Sequence, residues 1–330
     1  MTATVLITTG NGMFGRALIE QLAGNRDIDV RALVRNPDSF DFEAKNVMPV
    51  RADMDKPETL GAAVTGVSEI FLVTPMDGKI AVRERNVVDA ALATGRDIHI
   101  LKIHGAVEHR GDALSSMHQA SIDYIRASGL KWTLISPSSV METSLLPYAQ
   151  AIKYDAIFGI SGHGKVGFVA LADVARATAA ALAGGGGNHL DVLLTGPQAV
   201  DMFEVADAFS EVLGRKITYY DMTEDDFSSM MIGQGIYPDQ ATLEINVLCH
   251  YRAWGRGDAS LVSDGYRQVT GKQPMSVKDW IEANADKFGA EQTAADLAVR
   301  DQIAAAFRRP AESDPGPGPQ TAEPRPGPAR

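Results

Sequence analysis

Three glycines near the N-terminus have the spacing of a loop that binds phosphate groups. The loop reads Gly10-Asn11-Gly12-Met13-Phe14-Gly15. It follows a β-branched run at 4–9 and opens an amphipathic helical pattern at 14–24. There, the first glycine permits a tight turn, the second lets the backbone approach a pyrophosphate, and the third lets the helix pack on the sheet. The loop is therefore predicted to hold a dinucleotide pyrophosphate at the helix N-terminus. The alternative is a glycine-rich turn without a ligand.

The residue after the second predicted strand, 28–34, indicates which dinucleotide is bound. An NAD site has an acidic residue about 20 residues after the glycines, where it binds the ribose 2′-hydroxyl. Counting 20 residues from Gly15 leads to Arg35. A guanidinium group pairs with a 2′-phosphate, whereas a carboxylate would repel it. Arg35 therefore predicts NADPH, with NADP preferred over NAD. The alternative is a solvated loop residue.

Residues after the third and fourth predicted strands are placed to complete the cofactor site. At the end of the third strand, the carboxylate of Asp53 or the backbone of Met54 would meet the adenine edge. Thr74 and Pro75 end the fourth strand, where the nicotinamide ribose would pass, and Met76 follows at the substrate mouth. These placements follow the rule that ligands bind at the carboxyl ends of parallel strands. The alternative for Asp53 is a helix cap or turn.

Strands and helices alternate through residues 1–137. Predicted strands lie at 4–9, 28–34, 46–51, 69–74, 97–103 and 131–136, and helices at 14–24, 57–66, 79–94 and 117–128. This alternation predicts an α/β fold with a doubly wound parallel sheet. Residues 1–137 are expected to form the dinucleotide-binding domain, with returning segments from about 166–220. Residues 138–308 are expected to form a smaller substrate lobe and C-terminal helices.

The second region has a less regular pattern. Predicted helices lie at 143–154, 171–183, 201–213, 223–232 and within 276–307, and short strands at 166–169, 190–195 and 216–220. Seven of the 16 prolines fall at 310–330, which contain no aromatic residue and no Leu, Ile, Val or Met. Such a segment cannot offset its ordering entropy, so 309–330 is predicted to be a disordered tail.

Charge and cysteine content exclude several classes of protein. The net charge of −11 argues against a general nucleic-acid or anionic-membrane binder, since both need basic surface. Cys249 is the only cysteine, so no internal disulfide can form. No apolar run reaches the roughly 18 residues of a membrane span. A cytoplasmic monomer or homodimer is expected, with a small-molecule substrate and neither nucleic-acid nor membrane partners.

Six segments resemble, in order and spacing, the NmrA-like group of atypical short-chain dehydrogenases. They are TTGNGMFGRALIEQL, VRALVRNPDS, RADMDKPETLGAAVTGVSEIFLVTP, NVVDAALATG, SGLKWTLISPSSVME and LTGPQAVDMFEVADAFSEVLGR. The resemblance covers about residues 4–220 and implies a Rossmann-type domain, NADP(H) binding and a small C-terminal substrate lobe. It also implies that Ser138 lies along the cofactor and that Met141, Leu145 and Tyr148 lie near the substrate. The alternative for these last three is a hydrophobic hinge between lobes.

The classical catalytic pair of short-chain dehydrogenases is absent, because none of the eight tyrosines is followed by Lys at the fourth position. In the ether and isoflavone reductase branch, a Lys lies eleven residues before the Gly of a segment like Ser128-Gly129-Leu130. His118 holds that position here. Histidine can protonate a carbonyl or quinone oxygen near neutral pH, so His118 is the candidate acid. The alternative is a polar helix residue that only packs or forms hydrogen bonds.

Two further side chains are expected near the cofactor from the fifth strand. Lys102 and His104 alternate along it and should point to one side, Lys102 toward the cofactor and His104 toward the substrate. Among relatives, Ser is common at the position of His104. The spacing of His104, His109 and His118 matches no compact metal motif, so no metal is predicted.

These features predict an NADPH-dependent reductase that transfers a hydride to a small conjugated or aromatic carbonyl or quinone-type substrate. One alternative is a redox-sensing regulator that binds NADP(H) without turnover and contacts a protein partner, which the missing Tyr–Lys pair also fits. The other is a specialised biosynthetic reductase or isomerase.

Overall fold

A computed structural model describes residues 2–107, 113–184, 189–289 and 291–307. The predicted tail at 309–330 and His109 lie outside these residues. The chain divides into two compact units, 1–290 and 291–330. The second unit contains one described helix, α14 (Ala294–Ala306), whose first turn is capped by a reciprocal pair of hydrogen bonds between Thr293 and Asp296.

The first unit is built around a parallel sheet. Its described residues form seven strands in the order β3-β2-β1-β4-β5-β6-β8. They are β1 (Ala3–Ile7), β2 (Ile28–Val34), β3 (Val47–Arg51), β4 (Glu69–Leu72), β5 (His99–Ile103), β6 (Lys131–Pro137) and β8 (Leu190–Leu194). The order reverses between β1 and β4, as in doubly wound nucleotide-binding sheets. The predicted fold class is confirmed.

Helices cover both faces of the sheet. One face packs against α1 (Met13–Leu22), α7 (Leu171–Ala183) and α12 (Gly265–Thr270). The other packs against α2 (Leu60–Val64), α3 (Ile80–Ala93) and α4 (Ala113–Ala127). Helix α4 begins four residues earlier than the sequence predicts. His118 therefore lies in the second turn of the helix and not in its first turn.

A second hydrophobic core lies beyond β6. It is enclosed by α5 (Met141–Ser144), α6 (Ala149–Ile152), α8 (Met202–Leu213), α9 (Glu224–Gly233), α10 (Gln240–Leu243), a π-helical segment (Glu244–Leu248), α11 (Cys249–Gly255) and α13 (Val277–Ala283). A two-stranded parallel sheet joins β7 (Ala156–Gly159) to β9 (Thr218–Asp221). The buried tryptophans Trp254 and Trp280 belong to this core.

Several predictions for this region are wrong. The continuous helix expected at 143–154 is broken into short turns, because Pro147 has no N–H to donate and restricts the residue before it. The strand expected at 166–169 is reduced to isolated bridges, Val140 to Val169 and Val166 to Val200. Strand β7 and the helices between 240 and 270 were not predicted. No helix among the described residues is both long enough and apolar enough to cross a membrane.

Candidate active site

The glycine loop joins β1 to α1 with no room for side chains at two of its glycines. A Cβ atom at Gly15 would lie 2.0 Å from the carbonyl oxygen of Thr9, and one at Gly10 would lie 2.8 Å from the Cβ of Ala32. Gly12 is the N-cap of α1, whose first turn carries no acidic residue. The backbone N–H groups at this helix end are thus available to an anion. The loop therefore fits a dinucleotide pyrophosphate.

Arg35 is exposed directly after β2, beside a network of charged side chains. Arg83 donates to Asp55 at 3.0 and 3.1 Å and to Asp77 at 2.8 and 2.9 Å. It thereby ties the loop after β3 to the loop after β4. Hydrogen bonds from Arg83 and the charges of Arg83, Lys79 and Arg35 lower the pKa of the Asp55 carboxyl. Arg35 therefore lies in a region of mixed charge, and the structure by itself assigns it no phosphate.

Asp53 is held in the turn after β3. Its carboxylate accepts from the Asp55 N–H at 3.0 Å, and its own N–H donates to the Thr59 hydroxyl at 2.9 Å. The Met54 side chain is buried, and its carbonyl accepts from the Asn86 amide at 2.9 Å. The structure therefore shows Asp53 in a turn, which the sequence analysis gave as the alternative to a cofactor contact.

Lys102, which is predicted to lie at the cofactor, has a side chain buried between β5 and α3. Its side chain is 0% exposed, and its Nζ lies 2.6 Å from a carboxylate oxygen of Glu84, which is 1% exposed. Glu84 also accepts from the Thr74 hydroxyl at 2.9 Å and from the Ser121 hydroxyl. Burial lowers the pKa of the Lys102 ammonium, and the Glu84 charge opposes that shift. Lys102 therefore ties β5 to α3 beneath the site and offers no exposed surface to a ligand.

Two imidazoles lie together where β5 ends. The rings of His104 and His118 have centroids 6.3 Å apart, and both side chains are half-buried. His104 Nε2 lies 2.8 Å from the Ser136 hydroxyl, which donates to Asp191 at 2.6 Å. His104 Nδ1 lies 3.0 Å from the Gly105 carbonyl oxygen. The site therefore offers two groups able to exchange protons near neutral pH.

The residues predicted near the substrate fall into a buried group and an accessible group. Met141 and Leu145 are fully buried in the second core, and the hydroxyl of Tyr148, also buried, bonds that of Tyr251. Met76 is 53% exposed, beside exposed Pro75. Ser138 is half-buried, and its N–H donates to the Leu194 carbonyl at 2.9 Å. Met141, Leu145 and Tyr148 therefore pack inside the second lobe. Met76 and His104 are the accessible members of the set of residues predicted near the substrate.

Sequence reasoning missed two residues of this site, Glu84 and Asp191, and gave no separate role to Ser136, which lies in one of the segments that carry the family resemblance. Glu84 left a detectable signal, because it interrupts the buried stripe of α3 formed by Ile80, Val87, Val88 and Ala91. A charged residue on such a stripe requires a buried partner. Asp191 left no such signal. Among the described residues, no group of three or more His, Cys, Asp or Glu side chains is arranged to hold a metal ion.

The glycine loop and the sheet that supports it correspond to a known family. The NAD(P)H-binding family model matches residues 10–184, more than half of the chain. The chain belongs to the NAD(P)H-binding family. This membership confirms the NAD(P)H binding predicted from the glycine spacing and the strand order.

Relatives similar to this NAD(P)H-binding chain match most of its length. The NAD(P)H azoreductase of Xenophilus azovorans is 28% identical over 289 residues, which are 87% of this chain and 99% of the relative. Quinone oxidoreductase 2 of Escherichia coli is 27% identical over 240 residues, 71% of this chain and 83% of the relative. The structure of Citrobacter triphenylmethane reductase with NADP(H) has a TM-score of 0.74 at 23% identity and covers 85% of this chain and 99% of its own. This last likeness shows a shared fold.

Proposed function

We propose that the chain is an NADPH-dependent reductase that acts on a small conjugated or aromatic carbonyl compound such as a quinone. The main support is the pair of half-buried imidazoles, His104 and His118, at the end of β5. They belong to a domain whose β1–α1 loop fits a dinucleotide. Relatives named as NAD(P)H azoreductase and quinone oxidoreductase support this proposal. The bound nicotinamide would supply the hydride, and the protein would orient the acceptor and supply a proton.

The remaining roles follow from position at the carboxyl ends of the strands. The loop 10–15 holds the pyrophosphate, and Arg35 holds the 2′-phosphate. The turn at Asp53 and Met54 lies at the adenine, while Thr74, Pro75 and Ser138 lie on the nicotinamide side. Met76 and His104 face the acceptor, and Met141, Leu145 and Tyr148 support its pocket from the lobe core. The sequence proposes His118 as the proton donor.

Turnover is tested by mixing the full chain with NADPH and a panel of quinones, enones, imines and azo compounds. We expect loss of the near-ultraviolet absorbance of NADPH with at least one quinone. Each acceptor without protein is the control. Binding of NADPH with no turnover on any acceptor would contradict the reductase proposal and favour the regulatory alternative.

Cofactor choice is tested with Arg35→Ala. Loss of a charge-assisted bond to the 2′-phosphate should weaken NADPH binding by about 10- to 100-fold and leave NADH binding unchanged. Fluorescence titration with both cofactors measures the two dissociation constants. Arg96→Ala is the matched control, because Arg96 is exposed before the start of β5, at the opposite end of that strand. Equal weakening for NADPH and NADH would show that Arg35 does not read the 2′-phosphate.

A further inference from the structure

We propose that His104 is the proton donor of this site and that Ser136 and Asp191 position it and connect it to solvent. The inference rests on the proposed reductase function. It assigns the step to a different histidine from the one that the sequence suggests.

Both nitrogens of the His104 ring face oxygen atoms of the protein. The Gly105 carbonyl near Nδ1 can only accept, and so can the Asp191 carboxylate that bonds Ser136. The Ser136 hydroxyl has one proton, which it gives to Asp191, so it must accept from Nε2. Both ring nitrogens then carry a proton. The full network is satisfied by the imidazolium form.

Loss of one proton rearranges this network in a defined way. The Gly105 carbonyl retains the proton on Nδ1, so the proton that leaves is the one on Nε2. The Ser136 hydroxyl can then turn from Asp191 and donate to the bare Nε2. A rotating hydroxyl thus stabilises His104 in both states, which is the requirement for a group that gives and regains a proton.

Charges on four neighbouring elements set the balance between the two states. Burial lowers the pKa of His104, and the positive charge of Lys102 on β5 lowers it further. Asp191 on β8 and Glu84 on α3 oppose this shift. His118 on α4 is the other titratable group against the ring. A lowered pKa makes the imidazolium a stronger acid, and the two carboxylates limit how far that pKa falls.

The proton moves from His104 to the acceptor together with hydride transfer. When the acceptor is reduced by a hydride from NADPH, an electron pair collects on its oxygen. The acceptor oxygen replaces Ser136 as the hydrogen-bond partner of Nε2. The Nε2–H bond of His104 then breaks, an O–H bond forms, and the imidazole is left neutral. Asp191 is exposed, so a solvent proton can reach Ser136 and the ring from that side. This route returns the ring to its imidazolium form after each transfer.

The network is tested first without substrate, by side-chain proton–nitrogen correlation spectra of the full chain across a pH titration. His104→Gln assigns the ring signals. We expect the neutral ring to retain its proton on Nδ1. Asp191→Asn and Ser136→Ala should each lower the pKa of His104 by about 0.5 to 1 unit. Asp207→Asn, an exposed carboxylate on α8, should leave it unchanged. A neutral ring protonated on Nε2, or no shift in Asp191→Asn, would overturn the proposal.

The donor role is tested by the pH dependence of kcat/KM with NADPH and a quinone. The value of kcat/KM should fall as pH rises through the pKa of His104. In Asp191→Asn, this falling limb of the pH profile should shift together with the pKa measured by spectroscopy. His104→Gln should retain NADPH binding, lose the limb, and lower kcat by about 100-fold or more. Retention of the limb in His104→Gln and its loss in His118→Gln would overturn the donor role alone. No turnover on any acceptor, with the spectral shifts intact, would overturn the reductase function itself and the donor role with it.

Discussion

Replacement of Gly15 by Ala is expected to lower the free energy of unfolding by about 3 kcal/mol or more and to weaken NADPH binding by about 100-fold. The added Cβ would lie 2.0 Å from the Thr9 carbonyl oxygen, far inside van der Waals contact. That atom belongs to the backbone, so it cannot yield by changing a rotamer. Either α1 must move away from the sheet or the loop must shift.

Both movements would damage the cofactor site as well as the fold. A shift of the loop displaces the backbone N–H groups at the start of α1, and each bond to a charged phosphate contributes about 1.5 kcal/mol or more. Loss of two such bonds corresponds to the expected fall in affinity. Chemical denaturation gives the stability, and fluorescence titration with NADPH gives the affinity.

Gly61→Ala is the matched control. Gly61 lies in α2, and a Cβ there would have no heavy atom within 4 Å. Alanine is favoured over glycine in a helix, so stability should rise by about 0.5 to 1 kcal/mol while binding stays unchanged. A Gly15→Ala protein with normal stability and affinity would show that the loop does not constrain this position.

The second large effect is expected at the buried ion pair. Lys102→Met should cost about 3 to 5 kcal/mol of stability at neutral pH, because it leaves the Glu84 carboxylate buried without a countercharge. Thr74 and Ser121 would still donate to that carboxylate, but neither carries a charge. The remaining carboxyl should have a raised pKa and take up a proton on folding. The variant should therefore regain stability as the pH falls and lose it as the pH rises.

Removing both charges together should cost less than the two single changes added. In Lys102→Met/Glu84→Gln, the amide oxygen of Gln can still accept from Thr74 and Ser121, and no buried charge remains. Denaturant midpoints of the two single variants and the double variant measure the coupling. Lys216→Met, in an exposed pair with Asp207, should stay within about 1 kcal/mol of the parent. Strict additivity of the two buried substitutions would show that the pair is not energetically coupled.

The elements of the dinucleotide-binding half could be predicted because their signals are local. Strand β2 and helix α7 have the predicted bounds, and the ends of the other strands in the sheet differ from prediction by at most two residues. Alternating strands and helices leave few allowed topologies once crossovers are right-handed. The second lobe lacked this regularity. Its core is assembled from short helices whose apolar residues are too few per element to define a period.

The sequence by itself determined where a phosphate-binding loop lies and which strands surround it, since glycine spacing and hydrophobic periodicity are written along the chain. Only the tertiary structure decided that Lys102 faces Glu84 and that His104 bonds Ser136 and, through it, Asp191. These partners are 18, 32 and 55 residues apart in the chain. Lys102 meets Glu84 because α3 packs on the face of the sheet that contains β5. His104, Ser136 and Asp191 meet because β5, β6 and β8 are neighbouring parallel strands, in a register that pairs Ile103 with Ile135 and Leu134 with Asp191. Parallel register is set by packing across the whole sheet, and no local pattern of residues encodes it.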